Sequence, residues 1–64
     1  MAAKKTLHER EQELRCLLAT PAGRQALEDL ASRYQEASGR LKPAGTSTIT
    51  YVLVHEKGQG LISG

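Results

Sequence analysis

The side chains best suited to chemistry in this chain are few: two histidines, one cysteine and seven carboxylates. His55-Glu56 opens like the zinc-protease signature H-E-x-x-H. There, two histidines one helical turn apart bind the metal and the glutamate is the base. The second histidine would stand at residue 59, which is Gln59, so the pair is not that motif. A structural zinc takes four ligands of Cys or His type. His8, Cys16 and His55 supply three with no paired spacing, so no metal is expected. Gly58-Gln59-Gly60 begins like a phosphate loop. That fingerprint needs a third glycine opening a helix behind a strand, so these residues read as a turn. Cys16, beside Leu17 and Leu18, reads as a buried or half-buried small hydrophobe. A nucleophilic role would need a base and an orienting group that nothing in the sequence places. His8 reads as a solvated residue of a first helical turn. His55 sits near a helix end, where the dipole favours the charged imidazole. Glu9, Glu13, Glu28, Asp29 and Glu36 fall on expected solvent faces, and no two carboxylates are set up for acid–base work. A chain of 64 residues also leaves little room to shield a substrate. The expectation is a protein that is not an enzyme and carries no cofactor.

The elements that hold these residues are mostly helical. Thr6 and Glu9 have the spacing of a capping box, which opens a helix over about 7–19. Glu11 and Arg15 form a favourable i,i+4 pair on it. Thr20-Pro21 ends this helix and starts the next, because the residue before proline leaves the helical region while proline suits a first helical position. The second helix is expected over 21–38. Leu27, Leu30, Ala31, Tyr34 and Ala37 form its apolar stripe. Gly39 is a left-handed stop. Arg40 to Gly45 is a linker broken by Pro43 and Gly45. The third element, about 47–57, carries conflicting signals. Thr48, Ile49, Thr50, Val52 and Val54 are β-branched and favour a strand. Possible caps at Thr46 and Ser47, the helical spacing of Ile49, Val52, Leu53 and Glu56, and the stop at Gly58 favour a helix. A lone strand would also lack a partner within the chain. The reading is an all-α three-helix domain over 6–64 after a polar tail at 1–5. The alternative is two helices and a strand at 47–56 that pairs between chains. Leu61 and Ile62 are expected to fold back on the core.

Composition bears on partners. There is no Phe or Trp, and the large aliphatics are nine Leu, two Ile and two Val. A core of that size supplies only about 3–5 kcal/mol, so a partner chain or self-association is the expected support, most simply a homodimer. The net charge is +2, with the basic residues spread along the chain. That balance permits a polyanionic partner without demanding one. No apolar stretch follows the N-terminal lysines, so no secretory signal is expected. The longest strictly apolar run, Tyr51 to Val54, is far too short to span a bilayer. A lone cysteine without an export signal suits a reducing cytoplasm.

Residues 47–63 read S-T-I-T-Y-V-L-V-H-E-K-G-Q-G-L-I-S. This segment resembles the recognition helix and following turn of winged-helix and related helix-turn-helix regulators. The matching positions are Thr48, Tyr51, Leu53, Glu56, Gly60, Leu61 and Ile62, with Glu56 standing where such regulators carry a core leucine. The resemblance implies a third helix lying in the DNA major groove, with Arg40, Lys42 and Lys57 as phosphate contacts. The side chains it would present are Ser47, Thr48, Thr50, Tyr51, Val54 and His55. None is an Arg, Lys, Asn or Gln suited to bidentate base contacts, so specific base readout is not expected.

Two functions follow. The first is a non-enzymatic protein-interaction or self-association module. Element three is apolar nearly all round, and association is expected through Ile49, Tyr51, Val52 and Val54. The alternative is a small helix-turn-helix-like DNA-binding regulator, whose binding would weaken steeply with salt.

Overall fold

Thr6 is extended (φ −76°, ψ 161°), and its hydroxyl accepts the Glu9 N–H at 3.2 Å. The Glu9 carboxylate in turn accepts the Thr6 N–H at 3.3 Å. This capping box starts α1, Leu7–Leu17. The helix closes earlier than residue 19. Leu18 and Ala19 donate to the carbonyls of Arg15 and Cys16, each at 3.1 Å, so the last turn is tightened to three-residue spacing. The cause is Thr20, which must be extended ahead of proline (φ −129°, ψ 150°).

The second helix, α2, spans Pro21–Ser38 as the sequence implies. The Thr20 hydroxyl accepts the Gly23 N–H at 3.0 Å, and Gly39 closes the far end at φ 71°. A nine-residue connection, 39–47, leads to α3, Thr48–Gly58, where the Ser47 hydroxyl accepts the Thr50 N–H at 3.1 Å. The third element is therefore a helix. Among the described residues there is no strand, so the alternative of a strand at 47–56 is not what forms. The computed structural model describes residues 4–63; residues 1–3 of the expected tail, and residue 64, lie outside them.

The end of α3 turns the chain back. Gly60 is left-handed (φ 76°), the Leu61 N–H donates to Glu56 O at 2.9 Å and the Gly60 N–H to Lys57 O at 3.1 Å. This is the Schellman pattern. It aims Ile62 into the core and lays Ser63 beside the start of α1. Ser63 donates to Lys5 O at 2.9 Å, and its carbonyl accepts the Leu7 N–H at 2.7 Å. The returning tail thus satisfies a donor at the head of α1 that no residue of that helix can reach.

Each helix packs on the other two. Leu14, Leu27, Ala31, Val52, Leu53 and Ile62 form the core, ringed by half-buried Leu7, Leu17, Leu30, Tyr34, Ile49 and Tyr51. Cys16 is exposed, contrary to the expectation of burial. It lies two residues, about 200° of helical rotation, from fully buried Leu14, which fixes the inward face of α1. Leu18 and Ala37 also stay outside. None of the described helices is long and apolar enough to cross a membrane.

The α1–α2 corner leaves no space for a side chain at Gly23. A Cβ there would stand 2.1 Å from Leu17 O and 2.8 Å from Leu17 Cα. Gly23→Ala should therefore destabilise by about 1–3 kcal/mol, despite alanine's better helix propensity. Gly58, in α3, faces open space, and Gly58→Ala should raise stability by up to about 1 kcal/mol. Thermal unfolding of the two variants checks this. Equal effects in the same direction would mean that the corner is looser than described.

Candidate functional site

Two features stand out from the packing. One is a polar cluster that crosses the core; the other is an apolar band on the surface. Their positions follow from the rotation of α3.

Glu56 is 4% exposed, the only buried charged side chain among the described residues. Arg10 of α1 grips it with two bonds, Nε to Oε1 at 2.8 Å and Nη2 to Oε2 at 3.0 Å. The Tyr34 hydroxyl of α2 donates to Oε2 at 2.7 Å. Glu13 accepts a further bond from Arg10 Nη1 at 3.2 Å and also pairs with Lys5. Burial works against the Glu56 charge. The Arg10 and Tyr34 bonds outweigh it and hold the carboxyl below the usual carboxylate range. Burial, helped by the bond to Glu56, pushes the Tyr34 hydroxyl up to about 12. The bond to Glu56 holds the Arg10 guanidinium above its ordinary value. His55 stacks on Tyr34, with ring centroids 4.1 Å apart and planes at 18°. No buried side-chain N or O among the described residues lacks a partner. Both oxygens of Glu56 are occupied, so the cluster ties helices together and offers no free base.

The apolar band lies on the far side of α3. Val54 is 66% exposed, Leu41 83% and Leu18 45%. Val54 lies about 200° around the helix from Glu56, so turning the carboxylate inward turns the valine out. Val54 and Thr50 are shared by two adjoining hollows. One, of about 470 Å³, lies between the 39–47 connection and α3 and includes Leu41, Pro43 and Tyr51. The other, of about 570 Å³, lies between α1 and α3 and includes Leu7, Leu18, Ile49 and Leu53, with Glu11 and Arg15 at its edge. Glu11 accepts from Arg15 Nη2 at 2.7 Å.

No family model, curated protein or solved structure matches this chain.

The structure distributes the expected interaction residues unevenly. Val54 is exposed, while Ile49 and Tyr51 are half-buried and contribute their edges. Val52 is fully enclosed by the core and has no surface to offer, because it shares the inward stripe with Leu53 and Glu56. The basic residues Arg40, Lys42 and Lys57 are not gathered into one cluster. Lys42 Nζ reaches Thr48 Oγ1 at 3.5 Å, at the start of α3, whereas Lys57 stands near its end, about 14 Å of helical rise away. His8 and Cys16 are exposed eight residues apart on α1, and His55 lies against Tyr34, so the three do not converge. Among the described residues no group of three His, Cys, Asp or Glu side chains is placed to hold a metal ion. Sequence reasoning missed the Arg10–Glu56–Tyr34 cluster and the exposure of Leu41. A signal for the first was present: an acid at helical spacing from Val52 and Leu53 requires a cationic partner. Nothing in the sequence marked Leu41.

The cluster gives a pH dependence of known sign. The folded-state pKa of Glu56 lies below its unfolded value of about 4.3, so its stabilisation is complete above that value. It is lost as the pH falls through the folded value. Glu56→Gln should cost about 1–3 kcal/mol at neutral pH and flatten the decline in melting temperature below about pH 5. Glu13, half-buried and bonded to nothing on α2 or α3, is also held below its ordinary value, by Lys5 first and then Arg10. Glu13→Gln should flatten that decline much less. Identical acid profiles for the two variants would deny Glu56 its role.

Proposed function

We propose that this chain is a small non-enzymatic module that associates with protein, most simply with a second copy of itself, through the apolar band centred on Val54. The observation that carries the reading is the outward display of Val54 and Leu41 on adjoining hollows of a 64-residue chain. Aliphatic side chains grouped and exposed in this way mark a surface awaiting cover. The limited core argues in the same direction, since a domain with so few large aliphatics gains from burying more area. The α1–α3 hollow is the better half for a second copy. Its edge carries Glu11 and Arg15, so a two-fold arrangement can set each copy's acid against the other's base.

DNA binding is the second reading, carried by Arg40, Lys42 and Lys57 around α3. It has less support. The hydroxyls at the start of α3 are already engaged, Ser47 with Thr50 at 2.8 Å and Thr48 with Glu28 at 3.4 Å.

Mass in solution across a range of concentrations tests the first reading. The wild-type chain should reach twice its monomer mass. Val54→Lys, at an exposed position, should stay folded and weaken association at least about tenfold. A strict monomer that binds duplex DNA with steep salt dependence would reverse the order of the two readings.

A further inference from the structure

The residues of α3 favour a state other than the one they occupy. Residues 46–55 are the longest stretch of the chain without a charged residue, a glycine or a proline. Within it, Thr48 to Val54 reads T-I-T-Y-V-L-V, in which five of the seven side chains are β-branched and a sixth is aromatic. Segments of six or seven residues with this composition stack into cross-β assemblies once they leave the fold. In an extended chain the pattern has two usable faces. Ile49, Tyr51 and Leu53 fall on one, and Thr48, Thr50, Val52 and Val54 on the other, so both faces carry side chains that suit a pleated surface. The segment holds no charge to oppose stacking, and the net charge of +2 adds little repulsion between copies.

What keeps the segment helical lies mostly outside it. Val52 and Leu53 are buried, but Thr50 and Val54 already stand in solvent. Among the described residues, side-chain hydrogen bonds tie α3 to the other helices only at Glu56, to Arg10 and Tyr34, and at Thr48, to Glu28 at 3.4 Å. Glu56 lies two residues beyond the segment, and buried Ile62 anchors the returning tail behind it. When the tie at Glu56 opens and α3 swings away, the helix keeps its Ser47 cap and loses the burial that outweighed its residues' preference. A helix of 11 residues is too short to persist alone in water. We infer that residues 48–54 form a latent β-assembly segment: released from α1 and α2, it pairs as a strand with the same segment of other copies, and the Glu56 tie with the Ile62 anchor withholds it in the folded chain. The segment chooses its own partner, because identical strands set identical faces together and satisfy each other's backbone groups. Such assembly arises from the opened chain and does not depend on association through the folded apolar band.

The full chain is warmed to one temperature below the melting point of every variant, and assembly is followed by thioflavin T fluorescence. Fibre diffraction and hydrogen exchange are then recorded on the assembled material. The wild-type chain should assemble slowly, with the cross-β spacing of about 4.7 Å and protected amides at residues 48–54. Glu56→Gln should raise the rate about tenfold by raising the population of opened chains. Thr50→Lys, at an exposed position, should keep the fold and set a charge within the strand. It should slow assembly at least about tenfold, both alone and combined with Glu56→Gln. Leu27→Ala opens the core from α2 and leaves the segment unchanged, so it should speed assembly as Glu56→Gln does and be suppressed equally by Thr50→Lys. Assembly that Thr50→Lys leaves unchanged, or protection centred outside 48–54, would overturn the inference. So would opened chains that stay soluble or clump without the cross-β spacing. If the chain is a folded dimer through Val54 but opened chains never form strands, the inference fails and the association reading stands. If the folded chain is strictly monomeric and opened chains assemble in this way, self-association through the band fails and the inference stands.

Discussion

A single carboxylate decides how the three helices face one another. Glu56 of α3 is held by Arg10 of α1 and Tyr34 of α2, so one side chain fixes the rotation of its own helix and the approach of the other two. A carboxylate is expensive to take out of water and is tolerated only when its oxygens are satisfied with good geometry. That requirement makes the contact selective. Leucine side chains can slide past one another with small changes in energy; a bidentate guanidinium pair with a phenol hydroxyl on one oxygen cannot. The outward face of α3 is set by the same bonds. With Glu56 pinned inside, Val54 must face solvent, and the apolar band exists because of that rotation.

The same tie accounts for why a β-branched segment folds as a helix. Ile49, Val52 and Val54 disfavour the helical state by only a few tenths of a kcal/mol each. Against that stand the Ser47 cap and the burial of Val52 and Leu53 between α1 and α2. The Schellman turn past Gly58, which returns Ile62 to the core, acts in the same sense. Tertiary contacts of this kind outweigh local propensity when a strand would have had no neighbour to pair with.

Much of the backbone was legible in the residues. The Thr6–Glu9 box, Thr20-Pro21 and Gly39 are local signals, and the helix ends they mark agree with the structure to within two residues. The inward stripe of α3 was also legible, since Ile49, Val52, Leu53 and Glu56 recur at helical spacing. What the sequence hid depends on partners distant in the chain. Arg10 is 46 residues from Glu56, and no periodicity links them. Cys16 seemed apolar by type, but its exposure follows from which face Leu14 occupies, a matter of rotation within α1. Leu41 stands alone between breakers, and its exposure is a property of how the connection crosses the surface.

The parallel bridge between Thr6 and Ser63 makes the described chain nearly a ring, with its two ends hydrogen-bonded neighbours. A short linker could join them, and the exposed turn at Ala44-Gly45 could then be cut without touching any core side chain. Such a circular permutant would make α3 the leading helix and bring the partners Glu56 and Arg10 close in sequence. It would keep every helix in place while changing the order in which their contacts can form.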